Sequence, residues 1–247
     1  MKILASYSIK GGVGKTASAV NLAYLAAEQG YRTLLWDLDP QGASSYYFRI
    51  KPKVKIGSKK LISGDYSLDD FIKGTDFENL DLLPADFSYR NLDLDLEANK
   101  KPTQRLQKLL KPLNEQYDIV FLDCPPNISL LSEAVFQASE ILISPIIPTT
   151  LSLRTLEQLQ QFIKKNPLKN LQLLAFFSMV DKRKALHKEI IESFASKEFM
   201  LNTSIPNASE VERMGIERQP LAAYANKSRV AMAYQLLWQE IVETMGY

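Results

Sequence analysis

Cysteine is nearly absent from this chain of 247 residues, which has one, Cys124. A single thiol cannot close an intrachain disulfide, and within one chain it cannot form a thiolate cluster for zinc or iron and sulfur. No apolar stretch approaches the roughly 18 residues of a membrane span. In the first residues, MKILASYSIKGG, polar side chains break the apolar run, which is too short for a signal peptide. We therefore expect a soluble protein of the reducing cytoplasm.

An excess of charge of one sign is also missing, since 30 basic and 28 acidic residues give a formal charge of +2. Any affinity for nucleic acid must therefore come from a local patch. The composition, 46% apolar and 23% charged, is ordinary for a globular protein and excludes disordered and fibrous classes. We expect one domain over residues 1–247, with the only histidine, His187, at its surface.

Short β-rich runs alternate with helical patterns along the chain, which predicts an α/β fold with a mostly parallel sheet and helices on both faces. The predicted strands are 2–7, 32–37, 80–85, 117–123, 141–146 and 171–177. Apolar residues at helical spacing predict a helix over 15–29 that stops at Gly30. A glycine-rich loop therefore joins the first strand to this helix.

Residues 49–60, RIKPKVKIGSKK, carry six basic side chains and no acid. Residues 61–100 carry ten acidic side chains against Lys73, Arg90 and Lys100, so the two blocks can attract each other. A solvated surface loop is the favoured interpretation of the basic stretch, and a nucleic-acid contact is the alternative.

The segment YSIKGGVGKTAS, residues 7–18, has the pattern of a phosphate-binding loop. Its glycines allow a tight turn with inward N–H groups, and the helix that begins near Lys15 adds the positive end of its dipole. Lys15 would reach the β and γ phosphates, and the Thr16 hydroxyl would bind magnesium. The predicted nucleotide-binding residues of this loop are Lys10, Gly11, Gly12, Val13, Gly14, Lys15, Thr16 and Ala17.

The loop departs from the ordinary pattern because Ile9 stands where a glycine is usual, with Lys10 next. KGGVGKT resembles the deviant Walker A motif of the ParA/MinD family of ATPases, in which the first lysine reaches across a nucleotide-sandwich dimer to the partner's phosphates. The resemblance implies an ATP-dependent homodimer in which Lys10 acts in trans and Lys15 in cis. A second cation then neutralises the transferring phosphoryl group only when two protomers are face to face.

Two carboxylate segments extend the resemblance. DLDPQG at 37–42 is similar to the family's switch I segment, where Asp37 and Asp39 face the γ phosphate and the magnesium shell. A carboxylate there can orient the attacking water by accepting its hydrogen bond, a role for which we favour Asp39 over Asp37.

FLDCPP at 121–126 ends an apolar strand with an acid, the Walker B arrangement, so Asp123 is expected to hold magnesium through water. Cys124 has no histidine partner in the motif and is expected to be a small buried side chain without reactivity.

The resemblance covers nearly the whole chain and is closest to the ParA-type, Soj-like branch. In that branch the loop SIPNAS lies near the adenine, which implies that Pro206 and Asn207 contact the base. Lys227 and Arg229 match basic positions with which family members grip DNA without sequence preference. Arg213 and Arg218 lie nearby in sequence and are further candidates, although a plain surface charge is the alternative for each.

A membrane-associated MinD-type protein is the nearest rival interpretation. Such a protein docks on lipid through a C-terminal amphipathic helix. Here the C-terminal segment carries Glu240 and Glu243, where an anionic bilayer would select Lys and Arg. We expect it to pack on the domain, without stable membrane association, through Leu236, Leu237, Ile241 and Met245.

Metabolic enzymes of related fold, such as cobyrinic acid synthases and dethiobiotin synthetase, need a dedicated substrate pocket, for which no motif is present. A nitrogenase-iron-protein-like reductase needs two cluster cysteines, and a bacterial tyrosine kinase needs a terminal tyrosine cluster. The resemblance instead implies a nucleoid-associated ATPase that binds nonspecific DNA and positions a plasmid, a chromosome region or a protein assembly. Its hydrolysis would be stimulated by a ParB-like or other adaptor, and the cargo and adaptor stay open.

Overall fold

The computed structural model describes residues 1–54, 57–166, 168 and 171–246. Lys55 and Ile56 of the basic stretch 49–60 therefore lie outside the described residues. Seven strands form one sheet in the described part: β1 (Lys2–Ser6), β2 (Thr33–Asp37), β3 (Lys73–Gly74), β4 (Leu80–Leu83), β5 (Ile119–Asp123), β6 (Ile141–Ile146) and β7 (Gln172–Phe177).

The strand order is β3-β4-β2-β5-β1-β6-β7, and every pairing is parallel except that of β3 with β4. The predicted α/β fold and all six predicted strands are confirmed. The seventh, β3, has two exposed residues and no apolar alternation, so no pattern predicted it. The parallel arrangement brings the carboxyl ends of β1, β2, β5, β6 and β7 to one edge of the sheet.

The predicted helix after the glycine loop is confirmed as α1 (Lys15–Glu28), and Gly30 follows it with a φ of 89°. The other helices are α2 (Ala43–Tyr47), α3 (Gly57–Ser63), α4 (Leu92–Glu97), α5 (Arg105–Leu110), α6 (Leu130–Ala138), α7 (Thr150–Lys165), α8 (Ala185–Phe194), α9 (Ser209–Glu217), α10 (Leu221–Ala225) and α11 (Arg229–Met245).

The helices cover both faces of the sheet, and the strands are apolar on both sides. On one face Leu4 and Phe121 pack with α1 and α11, whereas Trp36 and Leu122 pack on the other with α3 to α6. Strands buried on both faces explain why the predicted strands read as continuous apolar runs.

The last helix, α11, packs on the domain as predicted, because Leu237, Trp238 and Ile241 are buried against α1 and the sheet. The prediction that Leu236 packs on the domain is wrong, since this residue is 55% exposed. Its place in the core is taken by Trp238, whose Nε1 donates to Gln29 at 2.8 Å. Over the described ranges, no helix is both long and apolar enough to cross a membrane.

The prediction that His187 lies at the surface is wrong, since the residue is 4% exposed. It shares the inner face of α8 with Ile190, three residues on, and its Nδ1 accepts a hydrogen bond from the Asp181 N–H at 3.1 Å. Burial lowers the pKa of His187, so the neutral ring that this bond requires is the stable form.

Candidate active site

The loop between β1 and α1 forms an open cradle at the carboxyl edge of the sheet. Gly12 and Gly14 have φ values of 69° and 97°, a left-handed backbone that glycine adopts readily. A Cβ at either position would meet no heavy atom of the described chain within 4 Å. The start of α1 has no capping side chain and no acid in its first turn, so its N–H groups and dipole can bind an anion.

Three serines hold the loop to its surroundings. Ser6 on β1 donates to the carbonyl of Lys15 at 2.8 Å, and Ser178, just after β7, donates to that of Val13 at 2.7 Å. Ser18 donates to the carbonyl of Gly14 at 2.7 Å. The cradle is therefore fixed before a ligand enters, and we did not predict these serines.

The Lys15 ammonium is buried without a close partner in the described structure. The residue is 7% exposed, and Nζ lies 3.4 Å from the carbonyl oxygen of Lys10. Burial lowers the pKa of Lys15, whereas the negative charges of Asp123 and Asp39 act to raise it. A buried cation at the mouth of an open N–H cradle fits a polyphosphate, which would supply the missing charge partner.

Lys10 points to a different element. Its Nζ donates to Ser152 Oγ at 3.2 Å, and Ser152 is buried in the first turn of α7, where Thr149 also contacts it. Within one chain, the Lys10 ammonium therefore contacts α7, and Lys15 is the lysine directed into the cradle. The role of Lys10 across a dimer stays a prediction.

Asp123 lies fully buried at the end of β5, beside the first turn of α1. Its carboxylate accepts hydrogen bonds from Thr16 Oγ1 at 3.3 Å and from Ser44 Oγ at 2.7 Å. Burial raises the pKa of Asp123, whereas the hydrogen bonds from the Ser44 and Thr16 hydroxyls lower it. In the ranges described, no cluster of three or more acidic, histidine or cysteine side chains could hold a metal ion. One hydroxyl beside one carboxylate suits magnesium, which takes few protein ligands together with phosphate oxygens and water.

Asp37 and Asp123 are paired in register on adjacent strands. The buried Asp37 carboxylate accepts from both the N–H and the hydroxyl of Ser45, each at 2.8 Å. Burial, and next the negative charge of Asp123, raise the pKa of Asp37. Asp37 therefore anchors the start of α2, and this contact distinguishes it from Asp39.

Asp39 is partly exposed where the chain leaves β2. Its Oδ1 accepts from the Gln41 N–H at 2.9 Å, and Oδ2 has no partner within the described chain. The charge of Asp39 raises the pKa values of Lys15 and Asp123, which places it in the same cluster. A fixed carboxylate with one free oxygen can accept a hydrogen bond from water.

Cys124 is buried, and its thiol contacts the carbonyl oxygen of Leu122 at 3.6 Å. Burial raises the pKa of the thiol, so the nucleophilic thiolate is disfavoured. The expected burial of this small side chain is confirmed, and its lack of reactivity stays a prediction.

The segment expected to contact adenine lies at the same edge of the sheet. Pro206 is bridged to Val180, and the N–H of Asn207 donates to the carbonyl of Val180 at 3.0 Å. Val180 comes two residues after Ser178, which holds the glycine loop at Val13. The contact of these residues with a base stays a prediction.

The four predicted DNA-binding residues fall into two groups. Lys227 and Arg229 are exposed at the turn between α10 and α11, with no ion pair in the described structure. Arg213, in contrast, forms an ion pair with Glu217 at 2.9 Å, and the Arg218 guanidinium lies 4.5 Å above the Tyr46 ring.

Known proteins resemble this chain over its full length. The family described as an AAA domain matches residues 1–174. Sporulation initiation inhibitor protein Soj of Bacillus subtilis is 30% identical, with 97% of this chain and 98% of that protein covered. Chromosome-partitioning ATPase Soj of Treponema pallidum is 29% identical, with 99% and 98% covered. Cobyrinic acid a,c-diamide synthase of Mycobacterium smegmatis, solved with an ATP analogue and magnesium, has a TM-score of 0.84 at 25% identity, with 100% and 96% covered.

Proposed function

Because the chain belongs to the ParA/MinD family of ATPases and is Soj-like, we propose that it is a partition ATPase. In this proposal, ATP drives formation of a sandwich dimer that binds nonspecific DNA and positions a cargo, and a ParB-like or other adaptor stimulates hydrolysis. The chain is an ATPase, and its cofactors are ATP and Mg²⁺. The proposal depends most on one observation, that Lys15 is buried at its own cradle while Lys10 extends to α7.

The residues of the cradle bind and orient the triphosphate. The N–H groups of residues 11–16 and the Lys15 ammonium hold the β and γ phosphates, and Thr16 and Asp123 hold magnesium. Magnesium, when bound, neutralises negative charge on the phosphate oxygens. The free Oδ2 of Asp39 accepts a hydrogen bond from the attacking water and directs its lone pair at the γ phosphorus.

Lys10 completes the site from the partner protomer. The charge that develops on the transferring phosphoryl group needs a cation at close range, and a lysine from a second chain arrives only in the dimer. Hydrolysis is then linked to dimerisation, which makes the nucleotide a switch. Dissociation of the dimer after hydrolysis would release the protein from DNA. The protein could then bind again elsewhere on the nucleoid.

The proposed DNA contact is the exposed turn at Lys227 and Arg229. Arg229 is the first residue of α11, where the positive end of the helix dipole disfavours a cation. A DNA phosphate at this helix start would be attracted by both the dipole and the guanidinium. Dimerisation would double the patch, so affinity for DNA would depend on ATP even though the formal charge is only +2.

We expect the double variant Lys227→Ala, Arg229→Ala to lose DNA affinity in the presence of ATP while it keeps ATP binding and dimerisation. The slope of log K against log salt should become flatter by about 2 per protomer, since each neutralised phosphate contributes roughly −0.9. Fluorescence anisotropy with two unrelated duplexes measures both quantities, and the duplexes should bind alike.

The variant Lys164→Ala, Lys165→Ala is a matched control, because it removes two exposed charges from the end of α7. Equal losses of DNA affinity in the two double variants would show that the effect comes from the net charge and not from this patch. If the Lys227 and Arg229 variant binds DNA as the wild type does, the DNA contact lies elsewhere. Residues 51–60 are then the next candidate.

A MinD-type membrane role remains the alternative within the family. The apolar side of α11 is packed on α1 and the sheet, which favours a structural role for this helix. Flotation with anionic liposomes in the presence of ATP separates the two functions. Binding to liposomes without binding to DNA would favour the membrane role.

A further inference from the structure

Two arginines in left-handed backbone conformation lie at the ends of neighbouring helices. Arg49, two residues after α2, has a φ of 60°, and Arg218, directly after α9, has a φ of 52°. An arginine rarely adopts this conformation, because its Cβ crowds the following carbonyl oxygen. Local hydrogen bonds at the helix ends hold both conformations, because the Arg49 N–H donates to the Tyr46 carbonyl at 3.1 Å and the Arg218 N–H to the Met214 carbonyl at 2.8 Å.

Each arginine binds the other's helix. Arg49 Nη2 donates to the carbonyl of Glu217, the last residue of α9, at 3.2 Å. Arg218 Nε donates to the carbonyl of Tyr46, near the end of α2, at 3.0 Å. A cation at a helix C-terminus is favoured by the helix dipole, and the Tyr46 carbonyl accepts the Arg218 guanidinium in addition to the Arg49 N–H at 3.1 Å. We call these two reciprocal contacts the arginine clasp.

The clasp connects the nucleotide site with the proposed DNA surface. On one side, α2 follows Asp39, and its Ser44 and Ser45 donate to the two buried carboxylates of the active site. On the other side, α9 follows the segment expected to contact adenine and packs on α10. The turn after α10 carries the proposed DNA patch. Two arginine side chains therefore join α2 to α9, and a displacement of α2 would act on α9 through them.

A cavity of about 550 Å³ lies between these helices and is lined by both arginines, Tyr46 and Lys51. Arg49 Nη1 is paired with Asp76 at 3.2 Å. Arg218 is different, because its Nη1 and Nη2 have no partner in the described chain while Nε and the Tyr46 ring fix its orientation. A fixed guanidinium with two free donors can bind a phosphate in a bidentate manner, and the exposed Lys51 adds a second cation.

We propose that Arg218 and Lys51 bind a phosphate of the DNA backbone in this cavity, and that the clasp makes the contact depend on the position of α2. This inference rests on the proposed DNA binding. It brings two candidates from the sequence, Arg218 and Lys51 of the basic stretch, into one phosphate site beside the Lys227 and Arg229 patch. It also gives a physical connection from the nucleotide to DNA.

Glycine substitutions test the two parts separately, because glycine accepts the positive φ and removes only the side chain. Arg218→Gly should lower the affinity for a random-sequence duplex about tenfold with a nonhydrolysable ATP analogue and flatten the salt slope by about 1. Arg49→Gly should lower the ratio of DNA affinities in ATP-analogue and ADP states by about fivefold or more. Both variants should bind a fluorescent ATP analogue as the wild type does and unfold at a similar temperature.

Arg90→Gln is the control, since Arg90 is another arginine stacked on an aromatic ring, Phe87, at 4.2 Å, and it is exposed where Arg218 is half-buried. It should leave the DNA affinity and the ratio unchanged. If the wild type binds DNA with ATP but both glycine variants match it, the inference is overturned. If the wild type binds no DNA, the proposed function itself is contradicted, and the inference falls with it.

An acidic protein segment is the competing ligand for the same guanidinium. Polyglutamate binding that is lost in Arg218→Gly, with unchanged DNA affinity, would contradict the DNA assignment.

Discussion

Replacing Lys15 with alanine is expected to lower ATP affinity at least about 100-fold. The ammonium is buried at the open N–H cradle, and among the residues that the structure describes its Nζ has only a long contact, 3.4 Å, to the carbonyl oxygen of Lys10. Each charge-assisted hydrogen bond to a phosphate oxygen contributes about 1.5–3 kcal/mol, so the loss of two accounts for this factor. Titration with a fluorescent ATP analogue measures it, and a change in Kd of threefold or less would contradict the assigned role.

Lys10→Ala is the matched control in the same loop. Its ammonium contacts Ser152 on α7 rather than the cradle, so nucleotide affinity should stay within a few fold of wild type. Turnover should nevertheless be lost, because the trans charge on the phosphoryl group is missing. A Lys10→Ala protein that hydrolyses ATP at the wild-type rate would refute the trans role.

Asp39→Ala is expected to bind ATP and dimerise but to hydrolyse ATP slower by a factor of about 100 or more. Asp39 has a free Oδ2, and its position is fixed by the bond from Gln41 to Oδ1. General-base assistance contributes about 10² to 10⁴ in rate, which sets the expected loss. Phosphate release at saturating ATP measures turnover, and the variant should accumulate in the ATP state.

Asp37→Ala is expected to behave differently, and it serves as the control. Its carboxylate accepts both the N–H and the hydroxyl of Ser45, so removal leaves buried donors without an acceptor and should lower the melting temperature. Wild-type turnover in Asp39→Ala would move the water-orienting role to Asp37 or to the backbone.

The glycine loop and the strands could be predicted because their determinants are local. Apolar runs of five or six residues give the strands, and glycine next to lysine and threonine at the end of the first run predicts the cradle. The exact supports of the cradle could not be predicted. Ser178 and Val13 are 165 positions apart, and only the strand order brings them together.

The errors have a similar cause. The surface prediction for His187 is wrong because its spacing to Ile190 places both residues on the inner face of α8. Leu236 and Trp238 are both apolar, and the direction in which α11 packs on α1 decides which one is buried. The side-chain contacts of Arg49 and Arg218 join α2 to α9 across about 170 positions of the chain, and no local pattern predicts them.

The central claim, an ATP-dependent dimer bridged by Lys10, is tested most directly by light scattering of the wild type and Lys10→Ala. With magnesium and a nonhydrolysable ATP analogue, the wild-type mass should double from the 28.0 kDa of one chain, whereas ADP should leave it unchanged. Lys10→Ala should keep the mass of one chain in both nucleotides. A wild type that stays monomeric with the analogue, or a Lys10→Ala protein that dimerises like the wild type, would contradict the account.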